Sequence, residues 1–377
     1  MHIIYEKDNI GRTFVELIFK NTGSIYSKDS VAYTLMHMLM NRGTLKDKEK
    51  FYSKLEEKAI NLSTHTSYSN TSISLTFLNE KSHQAMQYLK ELLSSPNFTK
   101  EALLKSKEEI KAKKETLKNN HDYTASKNLF KIMFKNTPLE IPEIGEKIES
   151  VSLEDIKNHF QTLSKKSLIA LIGGKKINIS LPLPSNLPKK DLFFTPKQGE
   201  IIEKKDVKQS YIYFGSPFNV SKDKWYLAKV ATFILGAGGF GSRIMEEVRV
   251  KRGYAYSAYA FNQFNKNFQI LKGFLQTKLQ NTQDAKNLII ELIEDFTQKG
   301  VSKEELESAK KFLIGSEPLR EETTPQRLKR KFEEYYFGIE DKNSELDKIK
   351  NLSLDEINDF IKNHKEITNL SFSIITK

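Results

Sequence analysis

The chain repeats itself once. "SLEDIKNHF" at 152–160 returns as "SLDEINDFI" at 353–361, an offset of 201 residues. "FTKEALLKSKEEI" at 98–110 returns as "VSKEELESAKKFL" at 301–313, an offset of 203. The pairs keep their order. An amphipathic segment precedes each member of the second pair, "SHQAMQYLKELLSS" at 82–95 and "TQDAKNLIIELIEDFTQKG" at 282–300. Solenoid units are far shorter than this period. The repeat implies a duplicated domain, so whatever fold the chain takes it must build twice.

The coarse pattern inside each half repeats as well. Alternating apolar stretches predict strands at 12–20 and 209–218, then at 72–78 and 268–279, and a closing apolar run at 167–174 and 369–377. Helical patterns lie between them, at 29–41 and 222–235 and again after the second strand. Strands mixed with segregated helices imply an α+β class: two homologous domains, each a mostly antiparallel sheet with helices packed on one face. Between the halves, "KKINISLPLPSNLPKKDLFFTPKQGE" at 175–200 carries four of the ten prolines. Proline supplies no backbone N–H, so this stretch is neither a helix interior nor a central strand. The expected organisation is an N-terminal domain over 1–176, a Pro-rich linker over 177–205 and a C-terminal domain over 206–377.

Charge and composition remove several classes of function. The formal net charge is +12, from 60 basic and 48 acidic residues, but the two signs are interleaved as on solvated Lys/Glu helices. No basic aromatic stripe or finger motif supports nucleic-acid binding. The absence of cysteine removes disulfides, thiolate catalysis and Cys-ligated zinc. No run of about 18 apolar residues offers a membrane span. The N-terminus "MHIIYEKDNIGRTF" has no basic n-region followed by an apolar run. The compartment stays open: cytoplasmic from the sequence as it stands, periplasmic if a signal peptide has been removed.

"FILGAGGFGSRIMEEVRVKRGYAYSAYA" at 233–260 holds the most specific pattern. Its glycines lack the Rossmann spacing, and Ser242-Arg243 stands where a phosphate loop needs lysine. A Gly-rich loop, a charged helix ended by Gly253 and an aromatic strand is the expected local structure. The stretch resembles the C-terminal half of the pitrilysin/insulinase family of zinc peptidases, in the branch of the mitochondrial processing peptidase and its bacterial relatives. There a Leu-Gly-Gly loop leads to Ser-Arg-Leu, a charged helix ending in Arg, and Gly-Leu-Ala-Tyr-Ser. The duplicated α+β halves agree with that family's fold.

The resemblance carries an expectation for the first half. The family places H-x-x-E-H on a helix, two histidines binding zinc and the glutamate activating the metal-bound water. In "VAYTLMHMLMNRGT" at 31–44, Ala32, Leu35, the run His37-Met38-Leu39 and Gly43-Thr44 follow the family wording. Tyr33 stands at the first zinc histidine, Met36 at the glutamate, and His37 alone keeps its identity. The family's third ligand falls at Lys113 or Lys114, with Glu109 and Glu115 nearby as carboxylates that a change of register would bring in. One imidazole is no catalytic zinc site. No metal ligand set and no cofactor are expected in this chain, and none of Tyr33, Met36 and His37 is expected to be catalytic.

In the second half the resemblance implies that Arg249 and Tyr256, spaced Arg-x6-Tyr, bind substrate by donating to peptide carbonyls. Arg252 does not fit that spacing. The alternative from the residues alone is a surface ion pair of Arg249 with Glu246 and a core aromatic at Tyr256. A dismantled zinc half beside an intact substrate half looks like the non-catalytic chain of a two-chain zinc peptidase that cleaves unfolded peptides in a closed chamber. Its partner would be a homologous subunit with intact H-x-x-E-H, which would hold the zinc. The competing expectation is a structural or peptide-binding pseudoprotease with no part in catalysis.

Overall fold

A computed structural model describes residues 1–377. It contains two five-stranded sheets. The first is built from β1 (His2–Lys7), β2 (Arg12–Phe19), β3 (Asn61–Thr66), β4 (Thr71–Leu78) and β5 (Leu168–Gly174), in the order β1-β5-β2-β4-β3. The second is built from β6 (Glu200–Lys204), β7 (Gln209–Pro217), β8 (Ala258–Phe264), β9 (Gln269–Lys278) and β10 (Ser371–Thr376), in the order β6-β10-β7-β9-β8. Replacing each strand of the first order by its counterpart five places later gives the second. The short edge strands β1 and β6 pair in parallel, and every other pair is antiparallel. The α+β class and the duplication are therefore present at the level of topology.

The period of two along each strand sorts the sheet faces. In the first sheet Leu62, Leu75, Val15 and Ile172 form one cross-strand row, and all are buried. Neighbouring positions on β2, Phe14 and Glu16, lie on the opposite face and are half-buried. The helical layer of this half comprises α1 (Val31–Asn41), α2 (Lys50–Glu56), α3 (Ser82–Ser94), α4 (Lys100–Lys118) and α6 (Leu153–Phe160); α5 (His121–Met133) lies elsewhere, as described below. Helix α1 buries Leu35, Met36, Met38 and Leu39.

The repeated phrases are helix starts. Ser152 caps α6, accepting from Asp155 N–H at 3.0 Å while the Asp155 carboxylate accepts from Ser152 N–H at 2.8 Å. Ser302 and Glu305 make the same reciprocal box at 3.2 and 2.8 Å. Ser353 accepts from Glu356 N–H at 3.2 Å. Such a cap satisfies backbone donors that the first turn leaves free.

Two compact units emerge, each taking up a segment from the other half of the sequence. The first contains Arg320–Phe332 besides Met1–Thr116 and Ile141–Asp191; the second contains Leu117–Glu140 besides Leu192–Leu319 and Glu333–Lys377. In the first unit Thr324 and Leu328 pack over Gly173, where an added Cβ would lie 2.6 Å from Thr324. Arg327 pairs with Glu6 at 2.9 Å. In the second unit α5 covers the sheet face opposite the main helical core. Tyr213 donates to Asp122 at 3.2 Å, and Phe130 and Phe134 pack on Phe268 at 5.4 and 5.2 Å between ring centroids.

Residues 175–199 have no regular structure but are not loose. Ile179, Leu181 and Leu183 are buried. Asn21 donates to the Lys189 carbonyl and the Asp191 carboxylate, both at 2.7 Å. No helix is long and apolar enough to cross a membrane.

Candidate functional site

In the first unit, the positions of the zinc motif do converge, on a set of groups that does not suit zinc. Tyr33 and His37 sit one turn apart on α1 and face Glu109 and Lys113, one turn apart on α4. Lys113 Nζ donates to the Tyr33 hydroxyl at 2.7 Å and lies 5.3 Å from its ring centroid. His37 Nε2 meets Glu109 Oε2 at 3.4 Å. Of the two nearby carboxylates, Glu109 is the one that reaches His37, whereas Glu115 is exposed. Met36 is buried in the core.

Arg42, just past the end of α1, completes the arrangement. Its side chain is only 4% exposed. One guanidinium nitrogen donates to Glu49 at 2.6 Å and the other to Glu109. Lys105 donates to the same Glu49 oxygen at 2.6 Å and, with Arg42, holds that carboxyl below its usual range. The result is a chain of groups, Lys105–Glu49–Arg42–Glu109–His37, in which cations outnumber anions once Lys113 is included. No three His, Cys, Asp or Glu side chains form a group that could hold a metal ion. A phenol, an ammonium and a guanidinium around one imidazole and one carboxylate do not fit a zinc centre.

Burial pushes the His37 imidazole down to about 4; Glu109 pulls the other way, and the Arg42 and Lys113 cations act with burial. His37 is therefore neutral at pH 7, and its contact with Glu109 is not an ion pair. His159, buried on α6 with Nε2 2.9 Å from the Thr22 carbonyl oxygen, is likewise pushed by burial down to about 4. In the unfolded chain both titrate near 6.5. Between the two values the unfolded state binds the extra proton, so stability falls as pH drops from 6.5 to 4 and is unaffected by these groups above 6.5. At about 1.4 kcal/mol per pKa unit, each imidazole withdraws up to roughly 3 kcal/mol over that window. Urea melts at a series of pH values are expected to show this loss, and His159→Asn is expected to flatten its slope.

In the second unit the Gly-rich loop and the charged helix hold Arg249 and Tyr256. Gly239 and Gly241 take φ of +63° and +92° with open space around them, as a tight exposed loop requires. A short helical turn (Arg243–Met245) continues as a wide π-type helix (Glu246–Lys251), and Gly253, φ +62°, ends it. Arg243 anchors this element. It makes a two-point contact with Glu305 at 2.5 and 2.7 Å and donates to the Gly300 carbonyl at 2.7 Å. Glu305 is the capping residue of the repeated phrase, so the duplicated helix start also positions the loop.

Arg249 does not pair with Glu246. Its guanidinium lies between two aromatic rings, 4.7 Å from the Phe240 centroid and 4.3 Å from that of Tyr256. Phe240 is 75% and Tyr256 81% exposed, so Tyr256 is no core aromatic. The neighbouring cations Lys251 and Arg252 both pair with Glu247. Arg249 is left with no acidic partner, and its guanidinium lies over two aromatic rings. Phe240 was not singled out by sequence reasoning; a lone aromatic inside a glycine loop is the signal that marks it.

Comparison with known proteins bears on the family and the fold. The Insulinase (Peptidase family M16) model matches residues 3–147, and the Peptidase M16 inactive domain model matches residues 147–313. A protein described as non-peptidase homolog YmxG, from Helicobacter pylori, is 38% identical over 99% of this chain and 91% of its own length. The crystal structure of a peptidase M16 inactive domain from Pseudomonas fluorescens superposes with a TM-score of 0.88 over 99% of this chain and 95% of that one, at 18% identity. A chain of Complex III2 from Candida albicans shares the fold at a TM-score of 0.81 and 13% identity, covering 99% of this chain and 93% of its own. With the motif positions filled by Tyr33, Met36 and Lys113, the chain belongs to the M16 insulinase family of peptidases as an inactive, non-peptidase member.

Proposed function

We propose that this chain is the non-catalytic, substrate-holding subunit of a two-chain zinc peptidase acting on unfolded peptides. The observation that carries the reading is Arg249: half-buried, free of any acidic partner, and over the exposed rings of Phe240 and Tyr256. An arginine without an acidic partner, set against two rings, suits a ligand with carbonyl or carboxylate oxygens. The Tyr256 hydroxyl is a second donor beside it. An extended peptide would present successive backbone carbonyls to the two and run along a sheet edge. β8, an edge strand, begins two residues after Tyr256.

The zinc, the general base and the H-x-x-E-H motif would belong to a homologous partner chain that closes a chamber with this one. The chain alone is expected to bind no stoichiometric zinc and to cleave no peptide. Capture of tagged chain from its native cell, followed by metal analysis and a peptidase assay on what is captured, tests this. A homologue with intact H-x-x-E-H and zinc-dependent cleavage by the pair is the expected result. Zinc-dependent cleavage by the purified single chain would overturn it. Full proteolysis by a pair carrying both Arg249→Ala and Tyr256→Phe would leave a purely structural role.

A further inference from the structure

An edge strand invites pairing, and proteins that must avoid it shorten or charge their edges. Four strands of this chain are edges: β1 and β3 in the first sheet, β6 and β8 in the second. β1 carries Glu6 and Lys7, and β6 carries Glu200, Glu203 and Lys204. β3, "NLSTHT", is polar at every position but Leu62. β8 differs. Its seven residues, "AYAFNQF", include no charge and no proline, and they carry the rings of Tyr259, Phe261 and Phe264. Nothing in that sequence guards against a further strand. We infer, on the footing of the peptide-holding role proposed above, that β8 selects the peptide: it pairs with segments that carry apolar or aromatic side chains at alternate positions.

The two faces of β8 are unlike. Ala258 and Ala260 belong to the main core and are inaccessible. The π-type helix Phe233–Ala237 comes so close there that a Cβ on Gly236 would lie 2.5 Å from the Ala260 nitrogen. Tyr259 and Phe261 lie on the other face and are half-buried. Tyr259 ends an aromatic row that crosses three strands. Tyr213 stands opposite Phe274, and Phe274 opposite Tyr259, with ring centroids 5.4 and 5.6 Å apart. On α5, Asp122 fixes the inner end of the row, accepting from Tyr213 at 3.2 Å and from Gln276 at 2.8 Å. The outer end stops at β8, which pairs with β9 and has no strand beyond it. A strand added there sets alternate side chains about 4.5–5.5 Å from Tyr259 and Phe261. A ring or branched alkyl group on that face continues the row, whereas a charged group gives up water against aromatic carbon. Exposed Tyr256 lies two residues ahead of β8, so a chain held by Arg249 and Tyr256 continues directly onto this edge. That continuity assigns the edge to a peptide rather than to a second copy of the chain.

Short fluorescein-labelled peptides on an uncharged Ser/Thr frame test this with the purified full chain, without a partner and without cleavage. Two phenylalanines two residues apart share a strand face; two that are three residues apart do not, at the same composition. By anisotropy the first peptide is expected to bind about 3- to 5-fold more tightly than the second, the effect of one further aromatic cross-strand pair. Phe261→Thr keeps a strand-forming residue and is expected to erase the difference. A second measurement needs no variant. Methylating the backbone nitrogens of one alternate set of peptide residues is expected to abolish binding, and methylating the other set to spare it, because only one set faces β8. Binding that Arg249→Ala weakens but that ignores the spacing of the phenylalanines overturns the selection and leaves the peptide-holding role standing. Failure of every peptide to bind overturns both. A dimer in sedimentation that Phe261→Lys dissolves gives the edge to a second copy and overturns the inference as well.

Discussion

In a two-chain peptidase of the kind proposed, Arg249→Ala in this chain is expected to lower kcat/KM by about 10- to 150-fold, the loss of one charged hydrogen-bonding group worth about 1.5–3 kcal/mol. The chain's own Tm is expected to stay where it is. Arg249 makes no ion pair, and the two rings it touches are 75% and 81% exposed, so little folding energy rests on the clamp. Tyr256→Phe keeps the ring that stacks on the guanidinium and removes only the hydroxyl. It is expected to cost less than Tyr256→Ala, which removes the hydroxyl and frees the arginine. Phe240→Ala takes away the other wall and is expected to act through Arg249 alone. Combined with Arg249→Ala it should then add little, which a double-mutant cycle reads directly. Equal losses for Tyr256→Phe and Tyr256→Ala would show that the ring does not orient the arginine.

What the sequence discloses and what it hides follow from the range of the forces involved. Caps are local. Ser152, Ser302 and Ser353 each satisfy a donor three residues on, so the repeated helix starts are written in short phrases and the duplication is visible from them. The strands β2, β4, β7 and β9 are long and alternate, and they appear close to their expected bounds. β1 and β6 are short parallel edges with little alternation, and nothing in them marks a strand. The zinc-side positions show a subtler limit. Spacing along the chain brings α4 to α1 near residues 113–114, but only the helix face decides which side chains meet. Glu109 and Lys113, four apart, share that face, and Glu109 takes the histidine while Lys113 takes the tyrosine. Arg42 escaped notice because an arginine at a helix C-terminus is commonplace on electrostatic grounds alone. Its burial is a tertiary fact.

The exchange of helices is the least legible feature, and it has the largest consequence for stability. The amphipathic pattern of α5 says that one face is buried; it does not say against which sheet. Leu129, Phe130, Met133 and Phe134 are all nearly inaccessible in the whole chain, and the segment that carries them belongs to the second unit. At about 1.5–3 kcal/mol for each large apolar side chain, their burial amounts to roughly 6–12 kcal/mol as an upper estimate. Whole domains are stable by about 5–15 kcal/mol. A fragment of residues 192–377, which lacks α5, is therefore expected not to fold cooperatively. Phe268 and the Gly215 face of β7 would be left open, and dye binding with loss of a sharp thermal transition is the expected readout. Joining residues 117–140 to that fragment through a flexible linker is expected to restore a cooperative melt. Phe130→Asp within the joined segment is expected to abolish it again. A sharp transition in the bare 192–377 fragment would mean that the main helical layer suffices, and that α5 is an accessory to the second sheet rather than part of its core.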